Sequence, residues 1–143
     1  METDSAPFQL IYIVLCESVS EEEAGALTLH NLLGSRVIAS DSDDMPPFTF
    51  HTKAVVAFYI PDKRTSFTVR IGLQWPEGHE TKGGLAEFGK VGGRFLSTQI
   101  LAFDLTVRTP GVYWFKVYHD QELLGQYPLT IAHERLEELP SIQ

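Results

Sequence analysis

The chain has 143 residues, 43% of them hydrophobic and 21% charged, which suits one globular domain and excludes wholesale disorder. Its 11 basic and 19 acidic residues leave a net charge of −8, so nucleic acid and anionic membranes are poor partners. Cys16 is the only cysteine, which excludes an internal disulfide and a thiolate-rich zinc site.

Residues 1–7 are polar and acidic and are expected to be disordered. No positive stretch precedes the apolar run that follows, which argues against a secretory signal. That run is far too short to cross a bilayer, so no membrane association is expected and cytoplasmic residence is. Strands are predicted over residues 9–17, 26–33 with a continuation at 36–39, and 48–60. An acidic loop holding Glu21, Glu22 and Glu23 separates the first two. In residues 66–75, Phe67, Val69, Ile71, Leu73 and Trp75 alternate with Ser66, Thr68, Arg70, Gly72 and Gln74. That period of two marks a strand with one dry and one wet face. Pro76-Glu77-Gly78 ends it as a turn.

Residues 78–94 hold six of the 11 glycines and no alternating apolar run, so a long Gly-rich loop is predicted there. Leu101, Phe103, Leu105 and Val107 alternate again. Pro110-Gly111 makes a turn, and residues 112–118 and 123–132 form a hairpin around a short polar connection. Residues 134–143 are a short tail. Seven to eight short strands separated by turn signals predict one all-β domain over residues 1–143, an antiparallel β-sandwich with Greek-key connections.

No catalytic chemistry emerges. Gly84-Leu85-Ala86-Glu87-Phe88-Gly89-Lys90-Val91 approaches a phosphate-binding loop, but Val91 lacks the hydroxyl that holds magnesium, and no strand-to-helix context surrounds it. Asp41, Asp43 and Asp44 are a weak calcium alternative, since acidic side chains from a second loop would be needed. They read more simply as a turn in which Asp and Ser bond their own backbone. His30, His51, His79, His119 and His133 show no metal-ligand spacing, and the nucleophile elbow G-x-S-x-G is absent. The expectation is no enzyme, no cofactor and no metal.

Three predicted strands break the alternation. Ile11, Ile13 and Leu15 are apolar, and so are Tyr12 and Val14 between them. Residues 54–60 and 112–118 repeat the pattern. A sandwich strand with a wet outer face should be polar at every second position, so a cover is expected over the second face. Trp114, Tyr118, Phe58 and Tyr12 are the expected interface residues, because aromatics bury much area at little entropic cost.

The segments Ile13-Val14-Leu15-Cys16-Glu17, Gly25-Ala26-Leu27-Thr28-Leu29 and Asn31-Leu32-Leu33-Gly34 carry a resemblance, as do Trp75-Pro76-Glu77-Gly78 and Gly111-Val112-Tyr113-Trp114-Phe115. Together, over residues 8–131, the chain resembles a family of small bacterial proteins with an immunoglobulin-like β-sandwich fold. The resemblance implies that fold and a bacterial origin, and it brings no activity. The functional expectation is a protein-interaction or self-association module, with itself or another protein as partner and a homo-oligomer as its form. The alternative is a ligand-binding sandwich using its loops for calcium with anionic lipid, or for carbohydrate, with Trp75 among the contacts.

Overall fold

The computed structural model describes residues 8–23, 26–62, 64–89 and 95–136. Nine strands run through them: β1 (Gln9–Glu21), β2 (Leu27–Leu32), β3 (Ser35–Ser40), β4 (Phe48–Tyr59), β5 (Ser66–Gln74), β6 (Glu80–Gly89), β7 (Leu96–Val107), β8 (Gly111–His119) and β9 (Glu122–Arg135). They form a four-stranded sheet in the order β2-β1-β4-β7 and a five-stranded sheet in the order β3-β9-β8-β5-β6. The pairings are antiparallel except that of β3 with β9, which is parallel. The all-β expectation holds, with nine strands in place of seven or eight.

Both sheets press their inner faces into one apolar core. β1 contributes Ile13 and Leu15, and β4 contributes Ala54, Val56 and Phe58. From the other sheet come Phe67, Val69, Phe88, Tyr113, Phe115, Val117, Leu129 and Ile131. Aromatic rings join the two sheets at one end. Phe8 stacks on Phe67 with centroids 3.6 Å apart, and Phe58 meets Phe67 at 4.9 Å and Phe88 at 4.7 Å edge to face. Such offset and edge contacts add to the burial itself.

Phe58 therefore does not belong to an interface. It is fully buried between the sheets. Where both parities of a strand are apolar, pattern alone cannot say which parity points inward, and on β4 the inward set is the even-numbered one.

Residues 78–94 are not one long loop. Gly78, at φ +109°, closes a turn in which its N–H donates to the Trp75 carbonyl, and the Trp75 N–H donates to that of His79. The chain then returns as β6, paired with β5 from Gln74–Glu80 to Ser66–Gly89. Gly83 hides this strand in the sequence, yet the strand needs it. A Cβ there would lie 1.9 Å from the Ile71 carbonyl oxygen, beside the register shift between Arg70 and Gly72. Residues 90–94 of the expected loop, the expected disordered residues 1–7 and tail residues 137–143 lie outside the described residues. Residues 134 and 135 belong to β9, and β1 takes in residues 18–21 of the expected acidic loop.

Two tyrosines clamp the connections. Tyr113 Oη donates to the Thr109 carbonyl oxygen at 2.6 Å, and Tyr127 Oη donates to that of Leu33 at 2.6 Å.

Candidate functional site

Directly opposed residues of an antiparallel pair share a face, so register sorts the outside of the four-stranded sheet into cross-strand rows. Tyr59 lies between Gln9 and Leu96. Ala57 lies between Tyr12 and Thr98, Val55 between Val14 and Ile100, and Lys53 between Cys16 and Ala102. The intervening Ala54, Val56 and Phe58 fill the core, so these rows point away from it.

Val55 and Ala57, in the middle of the patch, are 0% exposed, whereas Tyr59, Leu96 and Ile100 remain 41%, 47% and 38% exposed. Phe95 stacks on Tyr59 at 6.1 Å and extends the patch at the start of β7. Lys53 is the one charged side chain in these four rows. The next row is a hydrogen-bonded pair, His51 Nδ1 to Asp104 Oδ1 at 2.6 Å. The patch is thus dry in the middle within the single chain, partly exposed around it, and polar at both margins, at His51–Asp104 and at Gln9.

Cys16 sits at its edge without being reactive. The thiol is buried and lies 3.7 Å from the Lys53 carbonyl oxygen. Burial pushes its pKa up, the Lys53 charge opposing only in part, so the nucleophilic thiolate is disfavoured.

Of the expected interface residues, Tyr12 alone stands in this patch. Trp114 and Tyr118 lie on the outside of the five-stranded sheet. Trp114 is half-buried between Gln74 and Pro128. The Tyr118 ring leans over Gly72, and its hydroxyl donates to Glu80 Oε2 at 3.1 Å. Burial first, then the Glu80 carboxylate, raises the Tyr118 pKa. Register places Arg70, Lys82, Glu87 and Lys116 on the same side, so this outer face is the charged one. On that face Tyr118 is half-buried against Gly72, Trp114 is half-buried, and Val112 stays 36% exposed.

The patch residues that the sequence reading missed are Tyr59, Leu96 and Ile100. A signal was present for one of them. For Tyr59 it lay in the doubly apolar run 54–60, whereas Leu96 and Ile100 are separated by Ser97, Thr98 and Gln99 and only their pairing with β4 places them in the patch.

Other candidates disperse. Asp43 is engaged by Arg135 at 2.5 Å, and among the described residues no three His, Cys, Asp or Glu side chains gather as a metal-holding group. His30 bonds Ser20, His133 bonds Ser40, and His79 pairs with Glu77 while stacking on Trp75. The phosphate-loop lookalike begins on β6, an antiparallel edge strand in place of the buried parallel strand that such a loop follows, and its Lys90 and Val91 lie outside the described residues. Among the described residues no helix is long and apolar enough to cross a membrane. Compared with known proteins, the chain matches no family model and no curated sequence.

Proposed function

We propose that this chain is a non-enzymatic self-association module, in which two copies meet through the outside of the four-stranded sheet. The observation that carries the reading is the run of mainly apolar rows across β1, β4 and β7, interrupted by Gln9, Thr98 and Lys53, with Tyr59, Leu96 and Ile100 still partly wet. Exposed apolar patches of this kind mark association sites on soluble proteins.

A second copy is the occupant that fits the charge. The chain carries a net −8, yet this face carries one lysine in four rows, so two copies can meet there without opposing their acidic surfaces. The four rows cover seven residues of β4 and three strands, about 23 Å by about 14 Å. A patch of about 330 Å² is of the size that on a soluble monomer is often functional.

The reading includes an immunoglobulin-like sandwich with Greek-key connections, akin to the bacterial family the sequence resembles. The parallel β3–β9 pair and the tyrosine clamp at the start of β8 support it. It also includes cytoplasmic residence, which a single unpaired thiol suits. The alternative in which loop aspartates bind calcium with anionic lipid has less support, since Asp43 already serves Arg135.

Light scattering on the purified chain is expected to give twice its 16.0 kDa mass. Ile100→Lys, which sets like charges against each other across the interface, is expected to return the mass to one chain. Trp114→Ala, on the other sheet, is expected to leave the dimer intact. A wild-type mass of one chain, or a dimer indifferent to Ile100→Lys and to Leu96→Lys, would sink the reading.

A further inference from the structure

A second feature lies inside the fold, along the edge where β7 of one sheet faces β5 and β6 of the other. A cleft of about 640 Å³ opens there. Its walls are residues that an inter-sheet core should keep dry. Ile71 and Leu73 on β5, and Leu101 and Phe103 on β7, point inward and pack on the core, yet stay only partly buried. The cause is local. The register shift between Arg70 and Gly72, with Gly83 and Gly84 beside it, carries the first half of β6 along β5, while Ala86 and Phe88 of its second half pack into the core. Leu85, at the rim, is 67% exposed.

The hydrogen-bond donors of the cleft gather at one end. Trp75, Thr81, Thr106 and Arg108 line the end reached by the last residues of β5 and β7. Among the described residues Arg108 makes no ion pair. Trp75 Nε1–H donates to Thr81 Oγ1 at 2.6 Å, which leaves the Thr81 hydroxyl hydrogen free to donate onward. Asp104 also lines the cleft, but its carboxylate is held by His51. An apolar trough ending in a guanidinium and a hydroxyl donor is complementary to one kind of molecule, and its size lies in the range of small-ligand pockets.

We propose that this cleft binds a small amphipathic monoanion, its apolar body between Leu73, Leu101 and Phe103 and its carboxylate or similar head on Arg108 and Thr81. Apolar atoms in the trough would complete the core that Gly83 and Gly84, which have no side chains, leave open. The proposal stands apart from self-association, because Leu101 points inward and its neighbour Ile100 outward.

The test uses the full chain, with decanoate, decanol and decyltrimethylammonium as probes in calorimetry. Decanoate is expected to bind about tenfold or more tightly than the cation, and Arg108→Gln is expected to weaken decanoate about tenfold while sparing decanol. Leu101→Trp fills the trough and is expected to remove all binding, with a melting curve confirming that the variant folds. Leu73→Trp fills it from the opposite wall and serves if Leu101→Trp does not fold. Ile100→Lys is expected to change native mass and leave decanoate binding alone. No preference for the anion, or binding that survives the filled trough, overturns the proposal. So does binding lost in Ile100→Lys and kept in Leu101→Trp, which would place the probe on the outer face.

Discussion

Tyr113 is tied to Thr109 four residues upstream, its phenol donating to the backbone carbonyl at 2.6 Å, while its ring is fully buried against Trp75. The bond fixes where β8 leaves the turn after β7, and so fixes the end of the cleft at which Arg108 stands. Tyr113→Phe keeps the ring and deletes the donor. Thr109 is exposed, so water can replace the lost partner, and the loss should be that of an ordinary hydrogen bond, about 1 kcal/mol. For a domain of this size that lowers the melting temperature by roughly 2–4 °C. An unchanged melting temperature would show that the clamp contributes nothing.

Gly83 and Gly84 are neighbours in sequence with opposite expectations. A Cβ on Gly83 would sit 1.9 Å from the Ile71 carbonyl oxygen, so Gly83→Ala must push β6 off β5 or shift the register. It is expected to destabilise by about 1–3 kcal/mol, the range for overpacking. A Cβ on Gly84 meets nothing within 4 Å, so Gly84→Ala is expected to be neutral or to stabilise by up to about 1 kcal/mol, through lost freedom of the unfolded chain. Denaturant midpoints of the two variants decide it. Equal effects would mean that the close approach of β6 to β5 is wrong.

These glycines also show where sequence reasoning stops. Strand alternation was legible in residues 66–75 because each inward residue is apolar and each outward one polar or small. In β6 the same alternation is present at Ala86 and Phe88 but is interrupted by Gly83 and Gly84, which have no side chain to declare a face. The patch residues were half legible. That β4 is apolar on both sides could be read directly, and the expectation of a cover was drawn from it. Which parity faces the core could not, since Phe58 and Tyr59 are both large aromatics that either face can hold, and only the fold shows Phe58 buried and Tyr59 41% exposed. Register is a tertiary fact, fixed by Tyr12–Ala57 and Ile100–Val55 partners more than forty residues apart in the chain.

Three acids that the fold keeps protonated predict an alkaline loss of stability. Burial raises the Cys16 thiol above its ordinary 9.0, with Lys53 opposing. Tyr127 is raised above 10.0 by burial and then by Cys16, against a backbone hydrogen bond at Leu15, and Tyr118 is raised by burial and by Glu80. For an acid whose folded pKa lies above its unfolded one, the unfolded chain releases its proton first as pH rises. The unfolded state then binds fewer protons than the folded state, so stability falls with pH. The contribution is complete below the ordinary thiol value and is lost as pH climbs through the raised folded values. Melting temperature should therefore be level near neutrality and decline from about pH 9 upward. Cys16→Ala should flatten the first part of that decline, and should also weaken the later part by relieving Tyr127 of a neighbouring thiolate. A native thiol should resist titration by a disulfide reagent until the chain unfolds. A melting temperature that rises through this range, or a thiol that reacts at once in the folded protein, would contradict the burial of Cys16 behind Lys53.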